Sequence, residues 1–347
     1  MGIANIVYLV WRKLMNEHVT FDVIIATKDR HKSASILINQ ILSCRPQPRK
    51  IILIDSSNKN EFHDIKNNKF EYHHSSRKNQ PFQRYLGFKK SNADILVFLD
   101  DDMRINNKKC FSEILSFYKD KSIIGVQPNF SYKNNFLDHE IPKSKLKYMA
   151  KKNYILNFLK DLSGNPKIND GAFSYAGLKG KKPTNLKQVE WFYGPIFSAR
   201  RNALYFNFNF NLFKIYEKNL GKGEDAILGH TLSKKGKILF MEKKNFSHED
   251  TGNSSYSRSI YDFSKRVAYS RLYLTLEYCR LNQVNSFYGI LRCNQYLVGR
   301  IVVLFLNQLL NFKINRNKQI YGFVVGLVLS NIHFFSISKV DLKEPKC

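Results

Sequence analysis

Short apolar runs alternate, in the first third of the chain, with a stretch whose apolar residues recur at helical spacing. The runs at 23–26, 51–54 and 95–99 are short and rich in β-branched residues, which predicts strands. Between the first two, SASILINQILSC (33–44) predicts a helix. This order favours an α/β fold with a mostly parallel sheet flanked by helices.

All three predicted strands end in polar residues, at 27–29, 55–58 and 100–102. The carboxyl ends of parallel strands meet at one edge of the sheet, and ligands of such sheets bind beyond that edge. We therefore expect a ligand site there.

The rest of the chain predicts less regular structure and then helices. KLKYMAKKNYILNFLKDL (145–162) predicts an amphipathic helix, and the Gly-, Asn- and Lys-rich segment 163–185 predicts a mobile loop. GKGEDAILGHTLSKKGKILF (221–240) predicts a helix followed by a strand, and 258–285 a long helix. The predicted organisation is an N-terminal amphipathic segment (1–20), a catalytic domain (21–255, with halves at about 21–130 and 131–255) and a C-terminal helical region (256–347).

The net charge of the chain restricts the class of binding partner only in part. The 347-residue chain has 56 Lys and Arg against 28 Asp and Glu, a formal net charge of +28. An anionic partner is expected, but net charge does not choose among nucleic acid, an anionic membrane surface and a phosphorylated substrate. The five scattered cysteines include no C-x-x-C pair, so neither a disulfide framework nor a zinc site is indicated, and a reducing compartment is the simpler interpretation.

Three consecutive acids, Asp100, Asp101 and Asp102, follow the third apolar run in this basic protein. If the strand persists, Asp100 and Asp102 point to one side and Asp101 to the other, where we expect a structural role. Neighbouring carboxylates repel each other, and a divalent cation removes that repulsion. Mg²⁺ or Mn²⁺ held by few carboxylates completes its shell with water and substrate phosphates. The alternative is a solvated acidic turn that caps the next helix.

The order of the motifs resembles inverting family 2 glycosyltransferases of the GT-A fold, of the bacterial surface-polysaccharide type. The resemblance covers roughly 21–250 and rests on VIIATKDR, IILIDSS, QRYLGFKKSNADILVFLDDD with its D-x-D motif, GPIFSARR, GEDAILGHTLSKKGKI and FSHED. The chain departs from the family pattern at Tyr85, where Asn is usual, and at His230, which replaces a common Arg. The Q-x-x-R-W motif of processive members is absent.

The resemblance implies roles for nine residues. Asp102, Asp100 and His248 are the implied ligands of Mn²⁺ or Mg²⁺, and Asp100 is also expected at the ribose or a metal-bound water. The implied nucleotide-sugar contacts are Thr27, Asp29, Asp55 (to the uracil), Arg84 and Asp100. Asp225 is the implied general base, which takes the proton of the acceptor hydroxyl as that oxygen attacks the sugar, and Glu224 is expected to orient the acceptor.

The resulting expectation is metal-dependent transfer of a sugar, with inversion, from a UDP-linked donor to a hydroxyl of a glycan or lipid-linked acceptor. The abundance of Lys, Asn and Ile is typical of an AT-rich bacterial genome, which favours a role in surface polysaccharide synthesis. One alternative is a catalytically inactive, membrane-associated GT-A scaffold, although the D-x-D and E-D motifs are intact. A nucleic-acid-binding protein is a second alternative, but no helix-turn-helix, zinc or RNP-like pattern supports it. A nucleotidyltransferase would need a Gly-rich loop after the first strand, and ATKDRHKS has none.

Two apolar stretches, 296–312 and 320–335, lie near the C-terminus. Each is shorter than the ~20 apolar residues of a membrane span. In and around the first, Arg292, Arg300, Asn307 and Asn311 recur on one helical face, which is typical of a helix at a membrane interface. We expect a peripheral enzyme on the cytoplasmic side of the inner membrane, attracted by anionic lipids. The alternative is that both helices complete a soluble core.

Overall fold

A computed structural model describes residues 19–59, 61–132, 166, 168–249, 259–310 and 316–333. Nearly all of the predicted N-terminal amphipathic segment, and the whole predicted helix at 145–162, lie outside these residues.

The elements follow one another in this order: β1 Phe21–Thr27, α1 His31–Leu42, β2 Ile51–Asp55, β3 Phe70–His74, α2 Gln80–Lys90, β4 Ile95–Asp100, β5 Met103–Ile105, α3 Cys110–Phe117, β6 Ile123–Tyr132, β7 Lys187–Gln188, β8 Ile196–Arg200, α4 Arg201–Leu204, α5 Phe210–Glu217, α6 Glu224–Ser233, β9 Lys237–His248, α7 Ile260–Asn282, α8 Ser286–Leu310 and α9 Asn317–Ile332.

These strands form one sheet in the order β3-β2-β1-β4-β8-β6-β9-β5, with β7 beside β9. The first four strands run parallel, as the sequence predicts. The second half is mixed, because β8 runs antiparallel to both β4 and β6, while β9 runs parallel to β6. The prediction of an α/β fold with helices around a central sheet is confirmed.

Apolar side chains alternate between the two faces of the central strands. On β1, Ile24 belongs to the cluster on one face, and Val23 and Ile25 to the cluster on the other. Helices α2, α5, α6 and α7 cover the first face, whereas α1 and α3 cover the second. Because both faces are buried, each strand needs a continuous apolar run, and such runs can be recognised in the sequence.

The segment predicted to be a mobile loop is a compact hairpin over its described part. Lys179 pairs with Phe173, and backbone bonds of 2.8 and 3.0 Å join Gly180 to Ala172 and Gly171 to Lys181. Ala176, at the tip, is fully buried against α7 and α8. We call residues 168–186 the cleft hairpin.

The C-terminal helices pack against the rest of the protein through α7. Tyr269 and Tyr273 of α7 belong to the core of the sheet face. Gly322 and Gly326 let α9 approach α7 closely, because a Cβ on either would lie 2.4 Å from a backbone oxygen of that helix.

Helix α8 presents an apolar stripe to solvent. Its exposed residues recur on one face, namely Tyr288, Leu291, Val298, Val302, Phe305 and Leu309. By length and composition, Ser286–Leu306 is long and apolar enough to cross a membrane, although most of it is not buried in the protein. The helix begins ten residues before the apolar stretch predicted from the sequence, and its place at a membrane interface stays a prediction.

Candidate active site

The predicted ligand edge forms where β1, β2 and β4 end side by side. In the parallel register Thr27 pairs with Asp55, and Ala26 pairs with Asp100. The polar residues that follow each strand are thereby brought to one edge, as the strand pattern predicts.

The loops after β1 and β2 are tied together around Asp55. Its carboxylate is fully buried, and Oδ1 accepts hydrogen bonds from the backbone N–H (2.8 Å) and the hydroxyl (2.5 Å) of Ser57. The Ser57 oxygen in turn accepts from the N–H of Asp29 at 2.7 Å. Asp29 has φ 55°, in the left-handed region, and its side chain is 65% exposed. The structure thus brings these two predicted nucleotide contacts together, with only Asp29 reaching solvent.

Thr27 and Arg30 are engaged with the acidic triplet. The Thr27 hydroxyl donates to Asp101 at 2.6 Å. Arg30, which sequence reasoning missed, donates from Nη1 to Asp101 at 2.9 Å and to Asp102 at 2.8 Å. Asp101 is 4% exposed and has two partners, which fits the structural role expected for it.

Burial and mutual repulsion oppose the ionisation of the three carboxyl groups of the triplet. Burial raises the pKa of Asp100 to about 7, against the attraction of Arg84 and with added repulsion from Asp102 and Asp101. Burial likewise raises the pKa of Asp101 to about 6, against Arg30. Burial opposes ionisation of Asp102 too, but His248 and Arg30 outweigh it and lower that pKa. Further positive charge at this edge would stabilise the ionised triplet.

Asp102 and His248 form the pair best suited to hold a metal ion. Nε2 of His248 lies 3.2 Å from Oδ1 of Asp102, because β5 and β9 pair Met103 with His248. This Oδ1 is buried and accepts no well-aligned hydrogen bond, which fits a cation. Asp100 is turned toward Arg84, and the described residues contain no group of three or more His, Cys, Asp or Glu side chains placed to hold a metal. The role of Asp100 as a third ligand therefore stays a prediction, and a divalent cation held by few protein ligands completes its shell with water and phosphate oxygens.

Arg84 links the acidic triplet to the second acidic pair. Its guanidinium donates to Asp100 (2.6 Å), to Glu224 (2.6 Å) and to the carbonyl of Gly194 (2.7 Å). The residue is only 4% exposed. In this structure Arg84 therefore bridges protein groups, and its predicted contact with the nucleotide stays a prediction.

Glu224 and Asp225 open helix α6, where Gly223, at φ 88°, takes the left-handed conformation that favours glycine. Both acids complement the positive N-terminal end of the helix dipole. Glu224 is held by Arg84 and by the hydroxyl of Tyr216. Asp225 accepts from Lys179 of the cleft hairpin at 2.6 Å. The pair predicted from the E-D motif thus faces the cleft with different partners.

These partners set the two ionisation states apart. Burial raises the pKa of Glu224, and the charge of Asp225 raises it further. Burial also opposes ionisation of Asp225, but Lys179 and Arg84 together outweigh it and lower the pKa. Asp225 is therefore the acid of the pair whose ionised form is favoured, and a general base needs that form.

A cavity of about 550 Å³ adjoins the acidic pair. It is lined by Arg84, Glu224, Asp225 and aromatic residues of 206–213, with Lys234, Lys235 and Arg280 among the remaining residues of its wall. A wider depression of about 890 Å³ lies between Glu113 and Lys244. None of the predicted site residues lines that depression, so we place the site at the smaller cavity and the strand edge.

Sequence reasoning missed Arg30, Lys179 and Tyr216. Arg30 follows the first strand by three residues, so its position near the carboxyl end of that strand could have been predicted from the sequence. Lys179 is one of several lysines in its segment, and nothing local distinguishes it.

Comparison with known proteins gives one family match. Residues 22–182 match the family described as Glycosyl transferase family 2. The matched segment contains the acidic triplet and Lys179, while Asp225 and His248 lie beyond it. No curated protein sequence matches the chain.

Among solved structures, similarity extends to S. aureus TarS. The crystal structure of TarS 1-349 in complex with UDP has a TM-score of 0.48 and 13% identity, covering 86% of this chain and 77% of that one. TarS 1-349 alone has a TM-score of 0.49 and 14% identity, covering 89% and 81%. For the longer TarS structure the TM-score is 0.48 at 13% identity, with coverage of 92% and 54%.

The family match spans β1, β2 and β4, and it includes the acidic triplet at the end of β4. Over residues 22–182 the chain is therefore similar to glycosyl transferase family 2.

Proposed function

We propose that this protein is a metal-dependent, inverting glycosyltransferase that moves a sugar from a UDP-linked donor to a hydroxyl of a glycan or lipid-linked acceptor. The process it serves is proposed to be bacterial surface polysaccharide synthesis. The observation that carries the proposal is the arrangement around Arg84, which lies between the acidic triplet and the Glu224–Asp225 pair.

The residues divide into a donor side and an acceptor side. Asp55, Thr27 and Asp29, at the ends of β1 and β2, bound the place proposed for the nucleoside. Asp102 and His248 would hold Mn²⁺ or Mg²⁺, with Asp100 reaching the ribose or a metal-bound water. When bound, the ion supplies positive charge that stabilises the departing diphosphate.

On the acceptor side, Asp225 takes the proton of the acceptor hydroxyl. Its lowered pKa keeps it ionised at neutral pH, so it is ready to accept that proton. Glu224 is held by Arg84 and Tyr216, and it orients the acceptor rather than exchanging protons. One base and one in-line displacement, with no carboxylate nucleophile, give inversion at the sugar carbon.

A panel of nucleotide sugars, scored for nucleotide release with and without EDTA, tests the proposal. We expect release with at least one UDP-sugar, loss of release in EDTA and recovery with Mn²⁺ or Mg²⁺. The anomeric configuration of the product, read by NMR, reports inversion. No release with any donor, together with no binding of UDP, would favour the inactive scaffold.

We also propose that the enzyme lies peripherally on the cytoplasmic face of the inner membrane. Two exposed apolar stripes support this, one on α8 and one on α9, the latter made of Tyr321, Val324, Val328 and Ile332. Basic residues accompany them, with Arg292 and Arg300 on α8 and the exposed Lys318 at the start of α9. Each Lys or Arg near an anionic leaflet contributes about 1 kcal/mol of attraction. An apolar stripe and basic residues together are the two signals that stable peripheral binding requires.

A further inference from the structure

Two lysines of the cleft hairpin lie over the aromatic ring of Tyr193. Nζ of Lys179 is 4.3 Å from the ring centroid and Nζ of Lys182 is 4.9 Å from it. The next residue, Gly194, gives its carbonyl to Arg84. The two lysines therefore stand at the cleft, beside the residues that join its acidic groups.

Lys182 lies on the side of the metal-holding pair. Its Nζ is 4.1 Å from the Phe130 ring centroid and 5.9 Å from that of Tyr132. The imidazole of His248 packs against the same two rings, at 6.4 and 5.5 Å. Lys179, in contrast, ion-pairs with Asp225 at 2.6 Å. The lysine pair thus spans the space between the proposed general base and the proposed metal ligands.

Lys182 has no acidic partner among the described residues. Its polar contact is Oδ1 of Asn129 at 3.5 Å, and its charged neighbours are the lysines Lys244 and Lys179. Burial and these two lysines lower the pKa of Lys182 to about 8. The three aromatic rings compensate part of the lost hydration through cation–π contacts. A half-buried ammonium group that faces other cations is stabilised by an anion.

The hairpin that carries the lysines is held in place from behind. Arg271 of α7 donates to the carbonyls of Ala176 and Gly177 at its tip. The side chain of Lys182 is therefore presented on an anchored turn, which lowers the entropic cost of binding an anion there.

We propose that Lys182, together with Lys179, forms a binding subsite for a phosphoryl group of one of the two substrates. The subsite rests on the proposed function. Its chemistry is shared by two sources, the diphosphate of the donor and a phosphate group carried by the acceptor. An ammonium donor hydrogen-bonded to a phosphate oxygen contributes about 1.5–3 kcal/mol, or roughly 10- to 100-fold in affinity.

The test compares Lys182→Met with Lys181→Met by calorimetric titration in Mn²⁺. Met keeps the apolar stem on the rings and removes the charge, whereas Lys181 is an exposed neighbour on the same hairpin. The probes are UDP, uridine, and sn-glycerol 3-phosphate added at saturating UDP. Lys182→Arg keeps the charge and is expected to bind within about threefold of wild type.

A loss of about tenfold or more for UDP, with uridine unchanged, assigns the subsite to the donor diphosphate. The same loss confined to glycerol 3-phosphate assigns it to the acceptor. Unchanged binding of both phosphorylated probes, an equal loss for uridine, or the same effect in Lys181→Met overturns the subsite. A wild-type protein that binds no UDP at all contradicts the proposed function instead, so the two failures are distinguishable.

Discussion

At the scale of single residues, Glu224 and Asp225 are neighbours in sequence whose charges are balanced by different groups. Arg84 and Tyr216 hold Glu224, while Lys179 holds Asp225. Burial and the charge of Asp225 raise the pKa of Glu224 against Arg84 and Tyr216, whereas Lys179 and Arg84 lower the pKa of Asp225 against burial. The proposed division between an orienting acid and a proton-accepting acid rests on this difference in surroundings.

Replacing Asp225 with Asn removes the proposed base while keeping its size. We expect turnover at saturating donor to fall by about 10²-fold or more, the scale of a lost acid–base group, with little change in UDP affinity. Steady-state kinetics and calorimetry measure the two quantities. Asp64→Asn, at a side chain 83% exposed, serves as the control. If UDP affinity is lost while turnover survives, Asp225 is a binding residue.

The Lys179–Asp225 contact predicts a pH effect with a definite sign. Lys179 makes the largest contribution that lowers the pKa of Asp225, so in Lys179→Met the pKa is expected to rise. Asp225 is then protonated at higher pH, and the acid limb of the kcat/KM profile shifts toward neutrality. Lys181→Met is expected to leave that limb in place. A profile that does not move in Lys179→Met contradicts the role of Asp225 as the base.

Asp102→Asn tests the proposed metal pair. A neutral amide does not offset the charge of a divalent cation, so Mn²⁺ affinity, read from the electron paramagnetic resonance signal of free Mn²⁺, is expected to fall by at least tenfold. Transfer should be lost as well, while the circular dichroism spectrum stays unchanged. Full wild-type activity in EDTA would remove the metal from the mechanism.

At the scale of elements, helix α6 positions the acidic pair through a close approach to the chain at Trp191 and Phe192. A Cβ on Gly229 would lie 2.5 Å from the backbone nitrogen of Phe192 and 2.6 Å from the carbonyl carbon of Trp191. Backbone atoms cannot rotate away as a side chain does, so only glycine permits this distance.

Gly229→Ala is therefore expected to displace α6 and the acids at its start. We expect a loss of about 1–3 kcal/mol in the free energy of unfolding, the usual cost of overpacking, and a lower turnover number. Denaturant titration and kinetics measure these effects. Thr231→Ala, on a partly exposed position of the same helix, should change stability by no more than about 0.5 kcal/mol. Equal stability of the two variants would mean that α6 tolerates the shift.

At the scale of the whole molecule, the apolar stripe of α8 and the basic residues near it are the basis for the proposed binding to a membrane surface. Removing the chain beyond about residue 290 would also remove α9, whose glycines pack on α7. Substitutions on the exposed face of α8 therefore separate membrane binding from folding more cleanly than truncation does.

Wild type is expected to sediment with vesicles containing phosphatidylglycerol at low salt and to be partly released at high salt. Val302→Gln combined with Phe305→Gln should remain in solution, since these residues are 39% and 52% exposed on the stripe. Leu186→Gln, at a 56% exposed position on the cleft hairpin, is the control. A wild type that stays in solution at low salt contradicts peripheral binding. If the cellular protein stays in the membrane fraction after carbonate extraction, α8 crosses the membrane. If the soluble protein elutes as a dimer, a second copy covers the apolar stripe.

The sequence by itself determined the parallel half of the sheet and the ligand edge. Strands β1, β2 and β4 are buried on both faces, so their apolar runs are continuous, and the polar residues after them had to meet at one edge. The positions of Asp55, Asp102 and the E-D pair follow from local pattern and chain order alone. Strand β6 could not be predicted from the sequence, because Gly125, Gln127 and Pro128 interrupt its apolar run.

Only the tertiary structure decided which cation balances each acid. Arg30 reaches Asp101 across 71 positions of sequence, Arg84 reaches Glu224 across 140, and Lys179 reaches Asp225 across 46. Such pairs depend on how sheet, helices and hairpin pack, and a basic chain offers many equivalent lysines and arginines for each acid. The exposed stripe of α8 was decided in the same way, because helical spacing defines the faces of a helix and only its packed neighbours settle which face remains uncovered.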